Sequence, residues 1–223
     1  MSFFDELRSA SAAEAGKLFA VPQIVDGLSG RISRETYVAY LREAYHHVKH
    51  TAPLMRAARA RLDERHDLFC KALEEYEIEE TGHEQWILDD IKACGADAEA
   101  ARLSQPRLAT ELMVAYAYDY INRINPMGFF GMVFVLEGTS VLLATRGAGA
   151  VQQALGLPPS AFRYLTSHGS LDQEHMGFFE RLMNQVESRA DKDAIIHVAK
   201  TVFVLFGDVF RAIPHQTEAA NAA

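Results

Sequence analysis

Seven ionisable side chains fall where helical periodicity calls for apolar ones. On three-and-four spacing one segment reads Tyr40, Ala44, His47, Thr51, Leu54, Ala58, with an imidazole on the apolar line. A second reads Phe69, Leu73, Tyr76, Glu80, His83, Ile87, and a third Phe130, Phe134, Glu137, Val141, Ala144. A fourth reads Leu165, His168, Asp172, His175, Phe179, Leu182, Val186. Singly, each has a plain explanation: a lone histidine on a core line is ordinarily a hydrogen-bonded core residue, and a lone buried glutamate ordinarily pairs with Arg or Lys. Together they do not, because burying an ionised group without compensation costs several kcal/mol and no Lys or Arg lies on any of the four lines. A bound cation compensates all seven at once.

Three carboxylates and four imidazoles are an inventory for two metal ions. Mixed nitrogen and oxygen donors without thiolate suit iron or manganese better than zinc. Glu80 and His83, three residues apart, aim at one ion, as in helical-bundle di-iron proteins. His168, Asp172 and His175 converge over two turns. Periodicity also sorts the neighbours. His46 goes with Arg42, Lys49 and Arg56 on the polar side, and His50 stands at the rim. Glu79 shares the acidic face of Glu74, Glu75 and Glu77, whereas Glu80 continues the line from Tyr76 to His83; Glu79 stays the alternative ligand.

The elements that must position these groups are helices. Strand signals are scarce, and helical periodicity runs through almost the whole chain. Helices are expected over about 3–19, 33–62 (capped by Ser33, kinked at Pro53), 64–94 (stopped by Gly95), 108–123, 128–145, 148–155, 160–187 and 190–212, with a short one at 97–103 and a frayed tail at 216–223. Val21-Pro22 and Gly27 to Gly30 interrupt the pattern. The expectation is an all-α, single-domain helical bundle of about seven to nine helices over 1–223, its core at about 33–212.

Composition narrows the function. The chain has 223 residues, 49% of them hydrophobic and 23% charged, which is globular. A net charge of −8 argues against nucleic acid as partner. The longest apolar stretch, Met127 to Ala144, is broken by Glu137, Thr139 and Ser140 and falls short of a membrane span. The N-terminus lacks a basic region followed by an apolar run, and the two cysteines, Cys70 and Cys94, read as reduced core residues. A cytoplasmic protein with a small-molecule partner is expected; a homodimer is an open option.

Glu80-Thr-Gly-His83 with Trp86, Glu137 in an apolar helix, and His168-x3-Asp172-x2-His175 resemble the heme-oxygenase-like di-iron oxidases and oxygenases. These belong to the superfamily of TenA-like thiaminases, heme oxygenases and pyrroloquinoline-quinone synthases. The resemblance spans about Thr36 to Val209. It implies a heme-oxygenase/TenA-like fold in which His47 comes from the first core helix, where family members carry Glu or His. It takes Glu80 and His83 from the second, Glu137 from the third, and His168, Asp172 and His175 from the fourth. It further implies two Fe(II) per chain (manganese being possible), O2 as co-substrate, and oxidative C–C cleavage, desaturation or N-oxygenation. Many relatives carry an insertion between the Glu and His of the second core helix; here the two are nearly adjacent, which keeps Glu79 open.

Sister branches fit less well. A thiaminase needs a nucleophilic cysteine in its pocket, and Cys70 and Cys94 lie away from the cluster. A heme oxygenase needs one proximal His and a glycine-rich distal helix; Gly128, Gly131 and Gly138 could supply the latter but leave six other ligand-type groups without a role. A cofactorless oxidase has no use for so many carboxylates, and a non-catalytic iron-binding helical protein is the remaining alternative. Two Fe(II) against three carboxylates leave a formal charge of +1, which favours an anionic substrate group. Phe129, Phe130, Phe134, Phe178, Phe179, Tyr116 and Tyr118 are expected around an apolar cavity for a fatty-acid-like or amino-acid-like carboxylate, with Phe130, Phe134, Phe179 and Tyr116 as its lining, unless they are simply core.

Overall fold

A computed structural model describes residues 1–215, and of residues 142–145 and 168–175 it describes the backbone alone. Among the described residues there are twelve α-helices and no strand. They are α1 (Phe3–Ala10), α2 (Ala12–Phe19), α3 (Pro22–Leu28), α4 (Arg34–Val48), α5 (Thr51–Arg59), α6 (Asp67–Glu80), α7 (His83–Ala93), α8 (Ala98–Leu103), α9 (Leu108–Asp119), α10 (Phe129–Leu155), α11 (Arg163–Met183) and α12 (Arg189–Ala212).

The helix count exceeds seven to nine because three expected long helices are broken. Residues 3–19 part at Ser11, whose hydroxyl donates to the Leu7 carbonyl at 2.8 Å. Residues 33–62 part at Lys49–His50 and not at Pro53. Pro53 instead sits in the first turn of α5, where a missing N–H breaks no intrahelical bond. Residues 64–94 part at Thr81–Gly82, where Gly82 takes a φ of +97° that only glycine adopts without strain. Conversely, Gly147 does not end a helix, and α10 runs on to Gly156, which caps it in the left-handed region. Pro22, placed at the first helical position, starts α3 where an interruption was expected.

Helix α12 packs on α10, α9 and α2, α10 on α11, and α4 on α7. The approach of α10 to α12 depends on Gly131. A Cβ there would lie 2.7 Å from the Ala199 nitrogen and 3.1 Å from Val198 Cβ. Because the obstacle is backbone, Gly131→Ala must push the helices apart. It should destabilise the protein by about 2 kcal/mol or more, read as a lowered urea midpoint with unchanged slope. Gly131 is thus a packing glycine, whereas Gly138, on the same helix, has nothing within 4 Å of a Cβ position. Among the described residues no single helix is long and apolar enough to cross a membrane.

Candidate metal centre

Helix α4 begins at Ser33, whose hydroxyl accepts the Thr36 N–H at 3.1 Å, and presents His47 in its last turn. His47 is buried, its ring edge-on to Phe206 of α12 at 5.7 Å. It lines a cavity of about 870 Å3, open mouth included, together with Glu80 from the last residue of α6 and Glu137 from the middle of α10. The rest of the wall is apolar or hydroxyl-bearing: Tyr40, Leu54, Phe129 and Phe210 beside Thr51, Thr139 and Ser140. Three groups from three helices, each of a type that binds iron, therefore converge on one space.

His83 stands behind Glu80 and does not line that cavity. It is the first residue of α7, and its Nδ1 is 3.1 Å from Glu80 Oε2. A carboxylate accepting the Nδ1–H leaves the basic lone pair on Nε2, which is how carboxylates orient ligating imidazoles. The break at Gly82 creates this contact by letting the chain turn between the two residues. Trp86, one turn on, stacks on the His83 ring at 3.9 Å, and the Arg163 guanidinium lies 4.9 Å from the Trp86 ring. The side chains of His168, Asp172 and His175, on α11, lie outside the described residues. Among the described residues no three His, Cys, Asp or Glu groups are close enough to hold a metal.

His46 departs from expectation. It is buried, not on the polar side, yet it faces away from the cavity. Its Nε2 lies 2.9 Å from Ser104 Oγ and its Nδ1 3.2 Å from Lys49 Nζ. Burial and then the Lys49 charge hold its pKa below the usual imidazole value. His50 is half-buried at the helix break, 3.2 Å from the Tyr118 hydroxyl. Glu80, not the exposed Glu79, reaches the cavity. Of the aromatic residues expected to line it, Phe130 and Phe179 are fully buried in the core, Phe130 against Phe69 and Phe179 against Phe4 and Phe134. Phe134 is core too, and Tyr116 packs on Tyr120. None of these four lines the cavity; Phe129, also expected near it, does, together with Phe206, Phe210 and Tyr40.

Two buried carboxylates escaped the periodicity argument, and both are helix caps rather than ligands. Glu43 accepts the Thr110 hydroxyl at 2.5 Å and the Arg107 N–H at 3.1 Å, closing the start of α9. Asp90, fully buried on α7, accepts the Arg163 and Tyr164 N–H groups at 3.0 and 2.9 Å. It thereby caps α11, whose own N-cap residue, Phe162, has no side-chain oxygen to offer. Asp90 ties the helix bearing His83 to the helix bearing His168, Asp172 and His175.

Burial pushes the Asp90 carboxyl up to about 6, against the two N–H bonds that lower it. Its folded value lies above its unfolded one, so the native state binds the extra proton between about pH 4 and 6. Asp90's contribution to stability must then rise as pH falls through that window. Relative to Asp90→Asn, which cannot titrate, wild type should gain about 2–3 kcal/mol between pH 7 and pH 4. Urea unfolding at four pH values checks this; a pH-independent difference would contradict it.

The family model for iron-containing redox enzymes matches residues 38–205. No curated protein matches the chain. Among solved structures it is similar to a domain of unknown function with a heme oxygenase-like fold from Shewanella denitrificans, at 23% identity and a TM-score of 0.85, covering 96% of this chain and 92% of that one. It is similar to a TenA homologue from P. horikoshii at 12% identity and 0.77, covering 95% and 97%. It is also similar to heme oxygenase-1 from Synechocystis in complex with heme, at 13% identity and 0.74, covering 95% and 91%. At these identities the likenesses establish the fold, a heme oxygenase/TenA-like helical bundle.

Proposed function

The chain belongs to the iron-containing redox enzyme family, and we propose that it is an O2-activating, non-heme di-iron oxidase or oxygenase acting on a small carboxylate-bearing substrate. The observation that carries this reading is the convergence of His47, Glu80 and Glu137 on one largely apolar cavity. Their donor chemistry fits iron: imidazole and carboxylate, with no thiolate. The free cysteines stand elsewhere, Cys70 half-buried on α6 and Cys94 buried at the end of α7. The residues that would hold two irons are His47, Glu80, His83, Glu137, His168, Asp172 and His175. Bound iron supplies the electrons with which O2 is reduced.

The protein's own part is positional. Glu80 accepts a hydrogen bond from the His83 Nδ1–H and so favours the tautomer with its lone pair on Nε2. Phe129, Phe206 and Phe210 exclude water, which strengthens every charge interaction inside. A site of formal charge +1 in such surroundings attracts the substrate carboxylate. Thr139, buried on the same wall with no hydrogen-bond partner for its hydroxyl among the described residues, is placed to bond a polar substrate atom. A cytoplasmic setting and a small-molecule partner go with this reading.

Rapid mixing tests it. Protein loaded with Fe(II) under argon and mixed with O2 should give a transient visible absorbance whose lifetime changes when a substrate carboxylate is present. An iron store would instead oxidise its metal and keep the ferric product without substrate-dependent kinetics, and that result would sink the proposal.

A further inference from the structure

A second cavity, of about 590 Å3 with its open mouth included, adjoins the first. It lies between α3, α4, α10 and the end of α12, and Tyr40, Leu165 and Phe210 belong to the walls of both. We infer that the second cavity receives the apolar body of the substrate, whose carboxylate sits in the metal cavity, so that the substrate is an extended amphipathic carboxylate rather than a compact amino acid. This rests on the functional reading given above and deepens it.

Three observations carry it. The first is chemical. No charged side chain lines the second cavity, and its polar ones other than Tyr40 are already engaged. Tyr37 donates to the Ala161 carbonyl at 2.8 Å, Thr36 to the Pro214 carbonyl at 3.0 Å and Gln23 to the Ile213 carbonyl at 3.1 Å. What remains is Ile24, Leu28, Val151 and Leu165, which offer nothing to an ammonium group and favour hydrocarbon. The second is the partition. Tyr40 and Phe210 stack at 5.6 Å, but the Tyr40 hydroxyl makes no hydrogen bond among the described residues, unlike that of Tyr37. Turning the Tyr40 ring aside therefore breaks no hydrogen bond, and contact with a chain threading between the cavities replaces the lost stacking. The third is adjacency. The two cavities share the wall formed by Tyr40, Leu165 and Phe210, and a ligand spanning both presents its acid to the metal cavity and its tail to the other.

Gly147 allows a clean test. It lines the second cavity only, and a Cβ there would meet nothing nearer than Leu28 Cδ2 at 3.8 Å. A side chain grown from it enters the cavity without striking backbone, and replacing a helix-interior glycine favours the helix. The experiment uses the full chain loaded with Mn(II), which binds ligand without turning over, and measures hexanoate and decanoate binding by calorimetry. Each buried methylene should add roughly fourfold to affinity. Wild type should bind decanoate at least tenfold more tightly than hexanoate. Gly147→Phe should erase that advantage and leave hexanoate within twofold of wild type, while Gly147→Ala keeps the wild-type pattern. Gly147→Leu, a smaller plug, is carried alongside in case the phenylalanine variant does not fold. Equal affinities for the two acids in wild type, or equal losses for both in the plugged variants, would overturn the inference. Mn(II) stoichiometry in the same samples separates the two levels. Metal uptake without chain-length dependence removes the second chamber alone, whereas absence of metal uptake removes the functional reading as well.

Discussion

Changing His47 to alanine should weaken iron uptake by at least about a hundredfold and abolish the O2 reaction, while His46→Ala leaves both near wild type. Burial does not separate the two, since both imidazoles are almost wholly enclosed. Direction does. His47 faces the cavity that Glu80 and Glu137 also line. His46 spends one nitrogen on Ser104 and the other on Lys49, so neither is available to a metal. Even the loss of a group that only orients a ligand costs ten- to a hundredfold in metal affinity, and loss of a ligand costs more. His46→Ala should show its effect in stability instead, about 1–3 kcal/mol for stripping Ser104 and Lys49 of a buried partner. Iron titration and urea unfolding on the same two variants should thus give opposite rankings. Equal iron affinities would place His47 outside the centre.

The second large effect is at the α6–α7 break. Glu80→Ala removes both a cavity carboxylate and the oxygen that His83 Nδ1 bonds, so it should cost at least as much as His47→Ala. Glu79→Ala, one residue earlier on the exposed face, should change stability by about 0.5 kcal/mol or less and leave iron uptake intact. Glu80→Gln keeps an oxygen for His83 but loses the charge, and should fall between them. Iron stoichiometry by anaerobic titration ranks the four proteins. If Glu79→Ala destroys the site and Glu80→Ala does not, the turn at Gly82 aims the helix end differently from the structure described here.

Much of this was legible in the residues. The helical periodicity that marks Phe69, Leu73 and Tyr76 as core also marks His47, Glu80 and Glu137 as intruders, and the structure brings these last three to one cavity. Glu80 was reached for a reason that does not hold. The Tyr76–His83 line assumed one continuous helix, whereas the helix ends at Glu80 and the two residues meet across a glycine turn. The signal for the break was present, since a glycine directly after a polar run is the ordinary way to end a helix in the left-handed region. Glu43 and Asp90 were invisible because their partners are backbone N–H groups more than sixty residues away, which no local pattern encodes. Of the aromatic wall only Phe129 was legible, for a similar reason. Phe130 and Phe134 share one side of α10 with Glu137, but Phe4, Phe69 and Phe179 fill the space in front of them. Which aromatic side chains face a cavity depends on how α12 crosses, and that is a tertiary fact.

The central claim is that seven side chains assemble a two-iron site, and the chain carries its own reporter. Trp86 is the only tryptophan, and its ring stacks on His83 at 3.9 Å. Anaerobic Fe(II) titration followed by Trp86 fluorescence, with bound iron counted independently, should show saturable quenching that ends at two Fe(II) per chain. The quench should be lost in His83→Ala and weakened in His47→Ala. Fluorescence that does not change while folded protein is taken past two equivalents of Fe(II), with no iron retained after desalting, would contradict the account.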